Sequence, residues 1–81
     1  MNPPQPPPIV HQPVKSSAIA SMGHDAPTQT LEVTYRRGET YRYSGISPQE
    51  HQSLLSAPSK GKALNTLLKR RRLAGTKMPP D

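Results

Sequence analysis

The apolar residues change their spacing once along this chain, and the change divides it into a sheet-forming half and a helical half. In Thr30-Leu31-Glu32-Val33-Thr34-Tyr35, apolar and polar positions alternate with period two, which predicts a strand buried on one face. Lys15 to Met22 predicts an earlier strand, with Ile19, Ser17 and Ser21 on one face and Ala18, Ala20 and Met22 on the other. Gly23-His24-Asp25-Ala26-Pro27 has turn composition. Arg36-Arg37-Gly38-Glu39 closes a hairpin in which Gly38 is free to take positive φ. The returning strand, Thr40-Tyr41-Arg42-Tyr43, places both tyrosines on one face and Arg42 on the other.

Beyond Tyr43 the spacing becomes helical. Ser47-Pro48-Gln49-Glu50 is a capping box with proline at the first helical position. It starts a helix through Leu54 and Leu55 that ends near Ala57, because Pro58 restricts the residue before it. Ser59 is placed to cap a second helix, whose buried stripe is Ala63, Leu64, Leu67 and Leu68. The predicted fold is α+β: a three-stranded antiparallel β-meander followed by two α-helices packed on one of its faces. It occupies residues 14–74. Residues 1–13, Pro/Gln-rich, are expected to form a disordered arm sampling extended polyproline conformations, and residues 75–81 a disordered tail.

Composition narrows the chemistry. With 81 residues there is room for one domain, and with no Cys, Trp or Phe and three Tyr its core must be thin. His11, His24 and His51 match no zinc spacing, so no metal and no cofactor are expected. No basic cluster followed by an apolar run opens the chain, and no apolar stretch is long enough to span a bilayer. A cytoplasmic location away from membranes is therefore the expectation. The acids are dispersed, no serine stands beside an oriented base in sequence, and the glycines form no phosphate-cradling loop. These absences predict a protein that is not an enzyme.

Charge points to a partner. The formal net charge is +6, and from Lys60 to Met78 there are seven basic residues and no acid. Lys69-Arg70-Arg71-Arg72, with Lys60 and Lys62 upstream, creates a concentrated positive potential that suits phosphates and gives salt-sensitive binding. Cations in a last helical turn also suit the helix dipole, although a dipole needs only one or two. Tyr35, Tyr41 and Tyr43, with Arg36, Arg37 and Arg42 nearby, could stack unpaired bases. In so aromatic-poor a chain, at least one of Tyr41 and Tyr43 is instead expected in the core. Ser59, Gly61 and Asn65 fall at the start of the second helix. They either hold an anion there or serve as a cap and a loop contact.

An ordered set of residues resembles the KTSC domain, a short module that occurs alone in bacterial and phage proteins and at the C-terminus of some lysyl-tRNA synthetases. The set comprises Ser16-Ser17-x-Ile19, Gly23 with Asp25, Leu31-x-Val33 with Tyr35, Gly38-x-x-Tyr41-x-Tyr43, Ile46 with Pro48, and Ala57-x-Ser59-x-Gly61-x-x-x-Asn65. His24 stands where the family usually has Tyr, and Leu64 where it usually has Phe. The resemblance implies the fold above and, through the synthetase context, RNA. Two functions are expected from residues and resemblance together. One is a monomeric RNA-binding module using Lys60, Lys62, Lys69, Arg70, Arg71 and Arg72, assisted by Arg37, Arg42 and Tyr43. The alternative is a small bacterial or phage regulator whose cations meet an acidic protein surface, such as that of RNA polymerase, to modulate transcription.

Overall fold

The computed structural model describes residues 9–78, so Met1–Pro8 of the expected arm and residues 79–81 of the expected tail lie outside the described residues. Strands β1 (His11–Pro13), β2 (Ile19–Asp25), β3 (Thr30–Tyr35) and β4 (Thr40–Ser44) are followed by α1 (Pro48–Ser56), α2 (Lys60–Arg71) and β5 (Thr76–Lys77). The strands form one antiparallel sheet in sequence order, β1-β2-β3-β4-β5. The class is α+β as expected, but the meander has five strands rather than three.

The two added strands come from the parts of the chain assigned to the arm and the tail. β1 pairs with β2 from His11↔Gly23 to Pro13↔Ser21, and Pro13 is tolerated because the strand is an edge. β5 pairs Tyr41↔Lys77 and Arg42↔Thr76, and the Met78 amide donates to the Thr40 carbonyl at 2.8 Å. To reach β4 the chain crosses the Tyr43 ring at Gly75, where a methyl group would overlap the ring carbons.

β2 also differs from its expected form. It begins later, runs on through His24 and Asp25, and leaves the turn to Ala26–Gln29. Strict alternation sets Ile19 and Met22 on opposite faces, yet both are fully buried. The register slips between Ile19↔Tyr35 and Ser21↔Thr34, and this bulge returns both side chains to the core face.

The core joins Ile19, Met22, Leu31, Val33 and Tyr43 of the sheet to Ile46, Leu54 of α1, and Leu64 and Leu67 of α2. Both helices therefore cover the face that carries Leu31 and Val33. Opposite it, Glu32, Thr34, Thr40 and Arg42 make a polar face, with Thr34 and Thr40 hydroxyls 2.8 Å apart. No helix among the described residues is long and apolar enough to cross a membrane.

The capping box forms as predicted. The Glu50 amide donates to Ser47 Oγ at 3.1 Å, and the Ser47 amide donates to Glu50 Oε1 at 2.9 Å. That backbone bond, helped by Arg71, holds the Glu50 carboxyl below its usual range, against partial desolvation. Ser59 occupies the N-cap position of α2, but its side chain makes no capping bond, contrary to expectation. His24 and His51, isolated in sequence, stack with ring centroids 5.1 Å apart. His24 Nε2 donates to the Ile46 carbonyl at 2.6 Å, whereas His51 Nε2 is buried with no hydrogen-bond partner among the described residues. Burial, and secondarily charge on His24, lower the His51 pKa.

Ser47→Ala should remove about 1 kcal/mol of stability without changing the fold, measured as a lower urea midpoint at unchanged slope. His51 stays neutral in the folded state at pH values where the unfolded chain has begun to protonate. Its contribution is complete above about pH 6.5 and is lost as pH falls through and below that value. Glu32 and Glu50, both lowered from 4.5, withdraw their contribution only below that value, in a separate window. Denaturation between about pH 7 and pH 5 should show stability falling in the wild type, and His51→Phe should flatten that slope.

Candidate nucleic-acid interface

Burial of Leu64 and Leu67 fixes the roll of α2 about its own axis. At about 100° per residue, Lys62, Asn65, Thr66, Lys69 and Arg70 then share the opposite arc, and all five are exposed. Lys62, Lys69 and Arg70 make no ion pair among the described residues, nor do Lys60 and Arg72. The run Lys69 to Arg72 divides by geometry. Arg71 turns toward α1, where its Nη1 donates to Glu50 Oε1 at 2.6 Å and ties the end of α2 to the start of α1.

Arg72 ends the helix in the left-handed region at φ 52°, with its amide on the Lys69 carbonyl at 3.2 Å and the Leu73 amide on the Leu68 carbonyl at 2.9 Å. This is the Schellman ending, and glycine is its usual occupant. An arginine there carries a backbone cost of about 1 kcal/mol that glycine would not.

The N-terminal end of α2 opens on a cleft of about 650 Å³, lined on the helix side by Ser59, Lys60, Gly61, Lys62 and Asn65. Its other wall is Lys15, Ser16, Ser17 and Ala18, the segment leading into β2. Gly61 brings the helix against Ala18. Because Ser59 does not cap, the first-turn amides of α2 have no side-chain acceptor from it. Lys60 Nζ donates to the Ala57 carbonyl at 3.1 Å and stays at the cleft margin. Ser17 and Ala18 also border a smaller hollow with Tyr35, Arg36 and Arg37. The Arg36 amide reaches the Ala18 carbonyl at 2.9 Å, and its Nε donates to the Ser16 carbonyl, holding this segment in place.

The sheet-side candidates are not brought together with α2. Arg42 lies on the polar sheet face, where Nε meets Glu32 Oε2 at 2.6 Å. His11 Nε2 meets the other carboxylate oxygen at 2.6 Å, passing over Gly23, which has no side chain in the way. Desolvation raises the Glu32 pKa, but bonds from Arg42 and His11 outweigh it and the carboxyl is lowered. Arg37 pairs with Glu39 and lies 5.5 Å from the Tyr35 ring centre.

Tyr43 is 95% enclosed (5% exposed), and its hydroxyl meets that of Tyr35 at 2.8 Å. Burial pushes its pKa well above the usual phenol range. It is a core residue, as expected of at least one of Tyr41 and Tyr43, and it presents no face to a base, which corrects its inclusion among the residues assisting binding.

The sequence did not mark Lys15, Ser16 and Ser17 as neighbours of the α2 cations Lys60 and Lys62. Their signal was the Ser16-Ser17 opening of the family pattern, which carried no chemical assignment. Among the described residues, no group of three or more His, Asp or Glu is placed to hold a metal ion.

A family model described as the KTSC domain matches residues 15–71. An uncharacterized protein of Stutzerimonas stutzeri is 39% identical over 56 residues, covering 69% of this chain and 79% of its own. A Tsukamurella paurometabola protein is 40% identical over 60 residues, 74% of this chain and 90% of its own. A lysine–tRNA ligase of Nostoc punctiforme is 33% identical over 55 residues, 68% of this chain but 10% of the ligase. The crystal structure of a KTSC domain protein from Yersinia pestis superposes with a TM-score of 0.80 at 35% identity, covering 89% of this chain and all of that one.

Arg72→Gly should relieve the left-handed backbone and raise stability by about 1 kcal/mol. Urea unfolding checks it, and unchanged or reduced stability would mean that the Arg72 side chain contributes contacts offsetting the strain.

Proposed function

The chain belongs to the KTSC domain family, and from that premise we propose that it is a non-enzymatic module that binds RNA through α2 and the adjoining cleft. The observation that carries this reading is the segregation of unpaired charge. Of the seven Lys and Arg that make no ion pair among the described residues, Lys60, Lys62, Lys69, Arg70 and Arg72 belong to α2 or its end, Lys15 faces α2 across the cleft, and Arg36 holds the Ser16 carbonyl. Arg37, Arg42, Arg71 and Lys77 are each matched with a carboxylate.

A backbone-tracking role follows from the chemistry. Lysine and arginine neutralise phosphates and release counterions, while the lack of an exposed stacking Tyr43 argues against base readout at that position. The cleft adds hydroxyls of Ser16 and Ser17, with Lys15 and Lys60 on either side, as hydrogen-bonding partners for phosphate oxygens. A relative of this chain lies within a lysine–tRNA ligase, a protein named for a tRNA substrate, which supports RNA as the nucleic acid. On this reading the protein acts as a monomer in the cytoplasm and needs no cofactor.

The test is fluorescence anisotropy with a labelled oligouridine of about 20 nucleotides across a salt series. With four phosphate contacts, affinity should fall about 50-fold between 50 mM and 200 mM salt. Lys60→Ala/Lys62→Ala should weaken binding and reduce the log–log salt slope by about 1.4. Arg42→Ala, on the other sheet face, should leave binding nearly unchanged. No binding at low salt, or a slope insensitive to the double substitution, overturns the reading.

A further inference from the structure

On the outer side of the helical hairpin, α1 and α2 leave between them a groove of about 530 Å³. Its floor is aliphatic: Leu54, Ala57 and Pro58 from the α1 side, Ala63 and Leu67 from α2. Lys62 and Arg70 stand along the α2 rim, both exposed and both without an ion pair among the described residues. They are eight positions apart, about 12 Å along the axis, and so bracket a little over two helical turns. Glu50 is the carboxylate of this groove, and its Oε1 already accepts from the Ser47 amide and Arg71. The field along the groove is thus set by the two rim cations.

We propose that this groove docks an acidic, amphipathic segment of a partner protein. Such a segment places two or three bulky apolar residues at helical spacing on the aliphatic floor and carboxylates against Lys62 and Arg70. This groove adjoins the Lys15–Lys60 cleft and shares Lys62 with it, and its aliphatic floor and protein occupant go beyond the RNA reading.

The floor favours protein over RNA, because among the described residues its lining offers no aromatic ring on which a base could stack. The rim disfavours a basic segment. A second copy of this chain would bring a molecule of net charge +6 against the positive helix face, which disfavours self-association there.

The test is an NMR titration of the full chain with a synthetic helical peptide of about 14 residues carrying Leu at i, i+3, i+4 and i+7 and Glu between them. Two controls are a version with Lys replacing Glu and an acidic version with the Leu positions scrambled. Saturable shifts centred on Leu54, Ala57, Ala63 and Leu67 are expected for the acidic amphipathic peptide alone.

Ser53→Trp, an exposed position on the α1 wall of the groove, should fill the groove and abolish peptide binding while leaving the oligouridine response intact. Should that variant fail to fold, Lys62→Glu/Arg70→Glu serves. It should weaken the acidic peptide at least about 10-fold and admit the Lys version. No shifts up to about 1 mM peptide, equal binding of either control, or shifts confined to the Lys15–Lys60 cleft overturns the proposal. Lys15→Ala/Lys60→Ala should impair oligouridine binding and spare the peptide, so loss of one interaction does not imply loss of the other.

Discussion

Leu64 and Leu67 press α2 onto the sheet, at 1% and 5% exposure, and the display of charge depends on that contact. A helix with Lys60, Lys62 and the run Lys69 to Arg72 has no intrinsic reason to present any particular side. Burying one stripe settles it, because side chains opposite that stripe must face water. The sheet beneath α2 is itself assembled with little large apolar material. The β2 bulge contributes Ile19 as well as Met22 to the core face, and Tyr43 does the work of the missing phenylalanine and tryptophan.

A second constraint is the placement of the acids. Glu32 sits between Arg42 and His11 on the polar sheet face, Glu39 takes Arg37 and Lys77 at the hairpin, and Glu50 takes Arg71 at the helix junction. Asp25 is bonded by Thr28 within its turn. Among the described residues each acid has a partner of its own, and Glu50, the one that borders the α2 groove, is already engaged by Arg71 and the Ser47 amide. The positive balance of the chain is thereby concentrated in space rather than spread over the surface. That concentration favours polyanion binding over a merely soluble surface.

The groove and the cleft lie along and beside α2 and share Lys62, yet their chemistry differs. The cleft is walled by hydroxyls, an amide side chain and lysines, suited to phosphate oxygens; the groove has an aliphatic floor between helices, suited to hydrocarbon. A single helix therefore offers two kinds of surface. The left-handed Arg72 at its end is consistent with charge being kept where glycine would fit the backbone better.

The elements legible from sequence were those whose cause is local. Leu31, Val33 and Tyr35 declare their strand by alternation, Gly38 takes the positive φ its hairpin needs at 103°, and Ser47 with Glu50 writes a helix start into four residues. The α2 cations were legible for the same reason, since a run of charge needs no partner to be seen. Tertiary structure alone decided what depends on residues far apart in the chain. It made His11–Pro13 and Thr76–Lys77 strands, because an edge pairs only when the neighbouring strand is already in place. It chose Tyr43 over Tyr41 for full burial, paired Arg42 with Glu32, and brought Lys15 and Ser16 beside Lys60. Local spacing can state which side of an element is apolar, but which surfaces then become neighbours is settled only when the core closes.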